Sequence, residues 1–162
     1  MKAPIVVFAV GNPSRGDDAL GPCLLARFAD WLADHALLDQ FELIEDFQLQ
    51  IEHALDLAGR DMALFIDAGV QTPGPCRLFP LKPSGGMAHT THALSPEAVL
   101  DVYCRTEGGL PPPAFMLCLR GERFELGEPL TAEAALALDS GFELLTTLGR
   151  EATLEAWVKA CH

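Results

Sequence analysis

The stretch "APIVVFAVGNPSRGDDALGP", residues 3–22, decides the fold class. Its first eight residues form an unbroken apolar run, the pattern of a strand covered on both faces. A turn rich in Gly, Pro and Asp follows. Apolar residues then recur at helical spacing at Leu20, Leu24, Leu25, Phe28, Trp31 and Leu32. Pro22 fits that helix only because it lies in the first turn. A strand–turn–helix with glycines in the turn is where nucleotide-binding proteins hold phosphate, but here the turn carries Asp17 and Asp18 and no lysine. Gly11 and Gly16 have the first spacing of a phosphate loop, yet Asp17 takes the lysine position. Gly11, Gly16 and Gly21 do not match the dinucleotide fingerprint either. Two carboxylates would repel a phosphate, so both nucleotide readings are set aside. The plainer role for either acid is to cap the helix or anchor the loop.

Working outward, "FELIEDF" (41–47) reads as a second strand and "LQIEHALDLAG" (49–59) as a short helix closed by Gly59. "DMALFIDAG" (61–69) is a third apolar strand, ending at Asp67. "CRLFPL" (76–81) reads as an edge strand, because Pro80 cannot donate to a central ladder. "KPSGGMAHTTHAL" (82–94) is aperiodic and reads as a loop. Ser95, Pro96 and Glu97 then supply an N-cap, an N1 proline and a first-turn acid for a helix over 95–106. "AFMLCLRG" (114–121) is a fifth strand. Thr131 caps 132–161, either one long helix or two broken near Gly149. Alternation of strands and helices predicts a single α/β domain over 1–162. The expected architecture is a three-layer sandwich: a mostly parallel, twisted five-stranded sheet with one antiparallel strand and helices on both faces.

Composition narrows the partners. The chain has 162 residues, 49% hydrophobic and 21% charged, with a formal net charge of -12. This is an ordinary globular composition. The negative balance argues against nucleic acid and against anionic membrane surfaces. No segment reads as a signal peptide or a membrane span. The five cysteines are scattered, odd in number and without a C-x-x-C pair. Reduced, mostly buried thiols in the cytoplasm are expected. No self-association pattern is visible, and a monomer is expected.

In an open α/β sheet the chemistry lies beyond the carboxyl ends of the strands. Three segments can put polar groups there: the first turn with Asp17 and Asp18, Asp67 at the end of the third strand, and the loop with His89 and His92. Each alone has an ordinary structural explanation. His35, His53 and His162 receive no role. Together, two carboxylates and an imidazole suit a divalent transition metal such as nickel or zinc, or general acid–base work on a bound water. No nucleophile elbow and no H-E-x-x-H helix is present.

"VFAVGNPSRGDDALGP", "LFIDA" and "HTTHALSPEAVL" resemble, in order and over nearly the whole chain, the family of nickel–iron hydrogenase maturation proteases. "RGERFELGEPLT" (120–131) is similar to the family's segment after the last strand. The resemblance implies an aspartic-type endopeptidase that trims the C-terminal extension of the hydrogenase large-subunit precursor. It implies that nickel is carried by that precursor, with none tightly bound in the free enzyme. The family's nickel contacts carry over onto Asp18, Asp67 and His92, and its catalytic carboxylates onto Asp18 and Asp67. Where the family often has Glu, this chain has Asp18, one methylene shorter. In place of a D-G-G-T-like loop after the second strand stands "EDFQLQIEHALD". That resembles the branch serving soluble, NAD-linked hydrogenases, and marks Gln48 and Leu49 for substrate recognition. The alternatives are a module that grips the loaded precursor without cutting it, and a general α/β peptidase or amidase with its own metal.

Overall fold

The computed structural model describes residues 2–84 and 94–162. Five strands form one sheet: β1 (Ile5–Val10), β2 (Phe41–Asp46), β3 (Met62–Gly69), β4 (Cys76–Leu81) and β5 (Ala114–Arg120), in spatial order β2-β1-β3-β5-β4. β1 pairs in parallel with β2 and β3, and β3 pairs in parallel with β5. β4 runs antiparallel to β5 at the edge, where the missing N–H of Pro80 costs no ladder bond on the outer side.

The helices α1 (Leu20–Asp34), α3 (Ala132–Arg150) and α4 (Leu154–Ala160) cover one face of the sheet. Leu20, Leu24, Phe28 and Leu32 of α1 meet Val7, Ala9, Leu64 and Ile66 there, joined by Leu145 and Trp157. On the other face Val6, Phe8, Ala63 and Phe65 pack against Leu57, Val99 and Leu100, the last two from α2 (Pro96–Glu107). Burial on both faces is why β1 and β3 are continuous apolar runs rather than alternating ones. Ser95, Thr131 and Thr153 each cap a helix by accepting from the amide three residues on.

Several boundaries differ from the sequence expectation. The segment after β2 is a 3-10 helix, Ile51–Leu57, rather than an α-helix. β3 continues past Asp67 because Ala68 and Gly69 still pair with Leu119 and Arg120. Of the two arrangements open for the C-terminal stretch, it adopts two helices, with the break following Arg150, next to Gly149 as expected. All five cysteines are free, and each is half-buried rather than fully enclosed. Among the described residues, no helix is long and apolar enough to cross a membrane.

One topological feature fixes where chemistry can occur. From β1 the chain crosses to β2 on one side, then returns past β1 to β3 on the other. The carboxyl ends of β1 and β3 therefore border a switch-point crevice, the usual binding position in an open α/β sheet.

Candidate active site

The turn after β1 is built against the segment following β5. Gly11 has φ of 149°, and a Cβ there would lie 2.0 Å from the Asp18 carbonyl oxygen, so only glycine lets the loop fold back over the end of β1. Asp17 is fully buried. Its carboxylate accepts from the amides of Glu122 (2.7 Å), Arg123 (3.1 Å) and Thr131 (2.8 Å) and from the Thr131 hydroxyl (2.8 Å). The Asp17 amide donates in return to the Arg123 carbonyl at 2.7 Å. Burial alone would raise the Asp17 pKa, but the four donors outweigh it and hold the carboxyl below its ordinary value. Asp17 is thus a loop anchor. Neither it nor Asp18 caps α1, whose N-terminus has no side-chain cap.

Asp18 is turned the other way. It is half-buried, and its Oδ2 accepts from the Asn12 amide at 2.8 Å. Its own amide donates to the Arg15 carbonyl at 3.1 Å, so bonds within the loop hold it in place. Asp67 sits across the crevice at the end of β3. Its Oδ1 accepts from the next amide, Ala68, at 2.7 Å. Burial pushes its pKa up, the Ala68 amide offsets part of that, and the Asp18 charge raises it further, to about 7. Asp18 is thus near enough to Asp67 for its charge to bear on the Asp67 proton.

Register places Asp67 in a row across the sheet. Asp67 pairs with Cys118, and Cys118 with Arg77. On its other side lies Val10, one step past the Ala9–Ile66 pair, and Val10 pairs with Asp46. Phe8 and Phe65, two residues before Val10 and Asp67, stack at 4.8 Å on the α2 face. The two-residue side-chain period puts Val10 and Asp67 on that same face.

The loop after β2 divides the predicted recognition pair. Gln48 is exposed, whereas Leu49 is only 4% exposed and packs in the core with Phe8 and Ala54. Direct contact with a partner is open to Gln48 and closed to the Leu49 side chain. His53, given no role from sequence, organises this loop. Its Nδ1 accepts from the Gln50 amide at 2.8 Å and its Nε2 lies 3.4 Å from Asp46 Oδ2. The N–H that the Asp46 contact requires is thereby assigned to Nε2. The capping-box spacing of Gln50 and His53 was the signal available for this, with His standing in for the usual Glu or Gln. His89 and His92 lie outside the described residues. The chain re-enters at Leu94, whose amide donates to the Leu49 carbonyl at 3.3 Å. Among the described residues no group of three His, Cys, Asp or Glu forms a metal site. Asp18 and Asp67 supply two oxygen donors and two formal negative charges, a set that suits a divalent cation.

Comparison with solved structures matches the fold over nearly the whole chain. The hydrogenase maturating endopeptidase HybD from E. coli superposes with a TM-score of 0.68 at 22% identity, covering 94% of both chains. The chain has the fold of the hydrogenase maturation endopeptidases. The nickel–iron hydrogenase maturation protease HycI from Thermococcus kodakarensis gives a TM-score of 0.68 at 20% identity, covering 92% of this chain and 94% of its own. A hydrogenase 2 maturation peptidase from a Thaumarchaeota archaeon gives 0.60 at 21%, covering 91% and 97%. No family model matches the chain, and no curated protein matches it. The fold is thus shared at identities where no family model and no curated protein matches.

Proposed function

We propose that this chain is the endopeptidase that removes the C-terminal extension of a nickel-loaded hydrogenase large-subunit precursor. The observation that carries the reading is the pairing of Asp18 with Asp67 across the switch-point crevice of this fold, with Asp67 held near neutrality in its pKa. A largely buried carboxylate beside a second carboxylate is costly unless a cation or a proton compensates it. Nickel supplies that compensation, arriving in the precursor as part of the substrate. Asp18, Asp67 and His92 complete its coordination and dock the precursor. The raised pKa of Asp67 belongs to the site before the precursor's nickel arrives; the cation lowers it, leaving Asp67 ionised to orient the attacking water, whose proton passes to the leaving amine. The loop containing Gln48 supports a precursor of the soluble, NAD-linked type, and the expected complex is one protease with one precursor in the cytoplasm.

The test is to incubate the purified protein with large-subunit precursor prepared with and without nickel, and to follow release of the tail by mass. Release from the nickel-loaded precursor alone is expected. Equal cutting of nickel-free precursor would remove the recognition role of the metal. Stable binding of loaded precursor without any cleavage would support the non-cleaving module instead.

A further inference from the structure

A cavity of about 280 Å³ opens beside Cys118, the β5 partner of Asp67, and its lining includes Gly69, Gln71, Thr72, Arg77 and Phe79. Its floor is closely fitted. The Thr72 hydroxyl donates to the Gly69 carbonyl at 3.1 Å and lies 3.0 Å from Cys118 Sγ. The Gly69 carbonyl also accepts from the Gly121 amide at 3.0 Å. A Cβ on Gly69 would meet Cys118 Sγ at 2.9 Å and Thr72 Oγ1 at 3.1 Å, so glycine keeps the floor open. One wall is Phe79, with the Arg77 guanidinium 5.0 Å from its ring centre. Arg77 Nε is tied to the His162 carbonyl at 3.1 Å, which fixes the guanidinium at the mouth. Among the described residues it is the sole charged group of the lining.

We infer that this cavity is a specificity subsite for a substrate side chain close to the scissile bond, accepting an uncharged or acidic side chain and rejecting a basic one. The inference rests on the endopeptidase reading above. Its basis is the register row. Neighbouring strands are about 4.8 Å apart, so Cys118 lies one strand from Asp67 and Arg77 two strands away, about 10 Å. An extended peptide advances about 3.3 Å per residue, so a chain cut at Asp67 and running toward β4 passes over the cavity within three residues of the bond. The neutral floor and aromatic wall suit an apolar body, and the guanidinium favours a negative group at the mouth.

The experiment is a lysine scan of the three residues on each side of the cut in nickel-loaded precursor, measuring kcat/KM for the wild-type protein and for Arg77→Glu. At one of the six positions, lysine is expected to lower wild-type kcat/KM at least about tenfold, from like charges facing each other. Arg77→Glu is expected to restore the lysine substrate and penalise glutamate at that position. Because Arg77 also holds His162, Phe79→Ala serves as a second variant: it removes the aromatic wall, and is expected to raise the relative rate for tryptophan at the same position. Uniform kcat/KM across all six positions, with no change in preference in either variant, would overturn the subsite while leaving the endopeptidase reading intact. A wild-type protein that cuts no loaded precursor would fail that reading first.

Discussion

Replacing Asp67 with Asn should make the protein more stable at neutral and alkaline pH while removing its activity. The Asp67 carboxyl has a pKa of about 7 in the folded chain against 3.8 for the free side chain. Between those values the folded state binds the proton more tightly than the unfolded state. Stability therefore falls as pH rises from about 4 through 7, and is fully lowered above the folded value. A shift of about three units at about 1.36 kcal/mol each sets a ceiling of roughly 4 kcal/mol on this cost. Asn keeps an oxygen for the Ala68 amide and removes the charge, but introduces an NH2 that needs its own partner. The expected net gain at pH 8 is therefore about 1–3 kcal/mol, or roughly 2–4 °C in Tm per kcal/mol for a chain of this size. Urea unfolding of wild type and Asp67→Asn at pH 4.5, 6, 7 and 8 measures it. The two should converge at low pH and separate progressively above pH 5. Parallel pH profiles, or a variant less stable than wild type at pH 8, would refute the claim that burial and the Asp18 charge hold this carboxyl up.

The neighbouring acids should behave in opposite ways. Asp17→Asn forfeits charge-assisted bonds from three amides and a hydroxyl, and should cost about 3 kcal/mol in urea unfolding at pH 7. Because the Asp17 pKa is depressed, this contribution is present above the unfolded value and lost as pH falls through the folded one, so the difference from wild type should shrink in acid. Asp18→Asn should change stability by less than about 1 kcal/mol and abolish tail release measured by mass. His53→Ala, which removes the acceptor for the Gln50 amide and the partner of Asp46, should cost about 1–3 kcal/mol and speed hydrogen exchange at Gln50. Leu49→Ala should destabilise by about 2–5 kcal/mol through the cavity it leaves, whereas Gln48→Ala should leave unfolding unchanged and alter only kcat/KM between precursors of different hydrogenases.

Much of the architecture was legible because its signals are local. The apolar runs of β1 and β3 are continuous because both faces are covered, and Ser95 and Thr131 announce their helices by side-chain chemistry that needs no distant partner. Pro80 marked β4 as an edge for the same reason. What was not legible depends on long-range contact. Nothing near Asp17 in the sequence announces that Glu122, Arg123 and Thr131 will surround it, more than a hundred residues away. The cavity beside Cys118 likewise exists only because β5 brings that residue between β3 and β4. Leu49 reads as equivalent to Gln48 along the chain, and only the packing of Phe8 and Ala54 separates them. The 3-10 form of Ile51–Leu57 falls between these cases, since the Gln50–His53 spacing was visible but the Asp46 contact that completes it was not.

Asp17 and Asp67, at the same end of the sheet, separate structure from function by the company each keeps. Asp17 is enclosed with four donors aimed at it, so ionisation is favoured and the loop gains by holding it. Asp67 is largely withdrawn from water with one donor, from the residue next to it, and faces a like charge. Selection for stability alone would replace such a group with an amide or an apolar residue, since unpaired buried charge is among the costliest features a fold can carry. Its presence at the switch-point crevice is accounted for when a cation or a transferred proton compensates it during use. That asymmetry favours, in the proposed reading, the second acid of the "GDD" turn over the first as the partner of Asp67. The Asp17 carboxylate is already committed to its four donors, which is why the proposed function gives the substrate-facing role to Asp18.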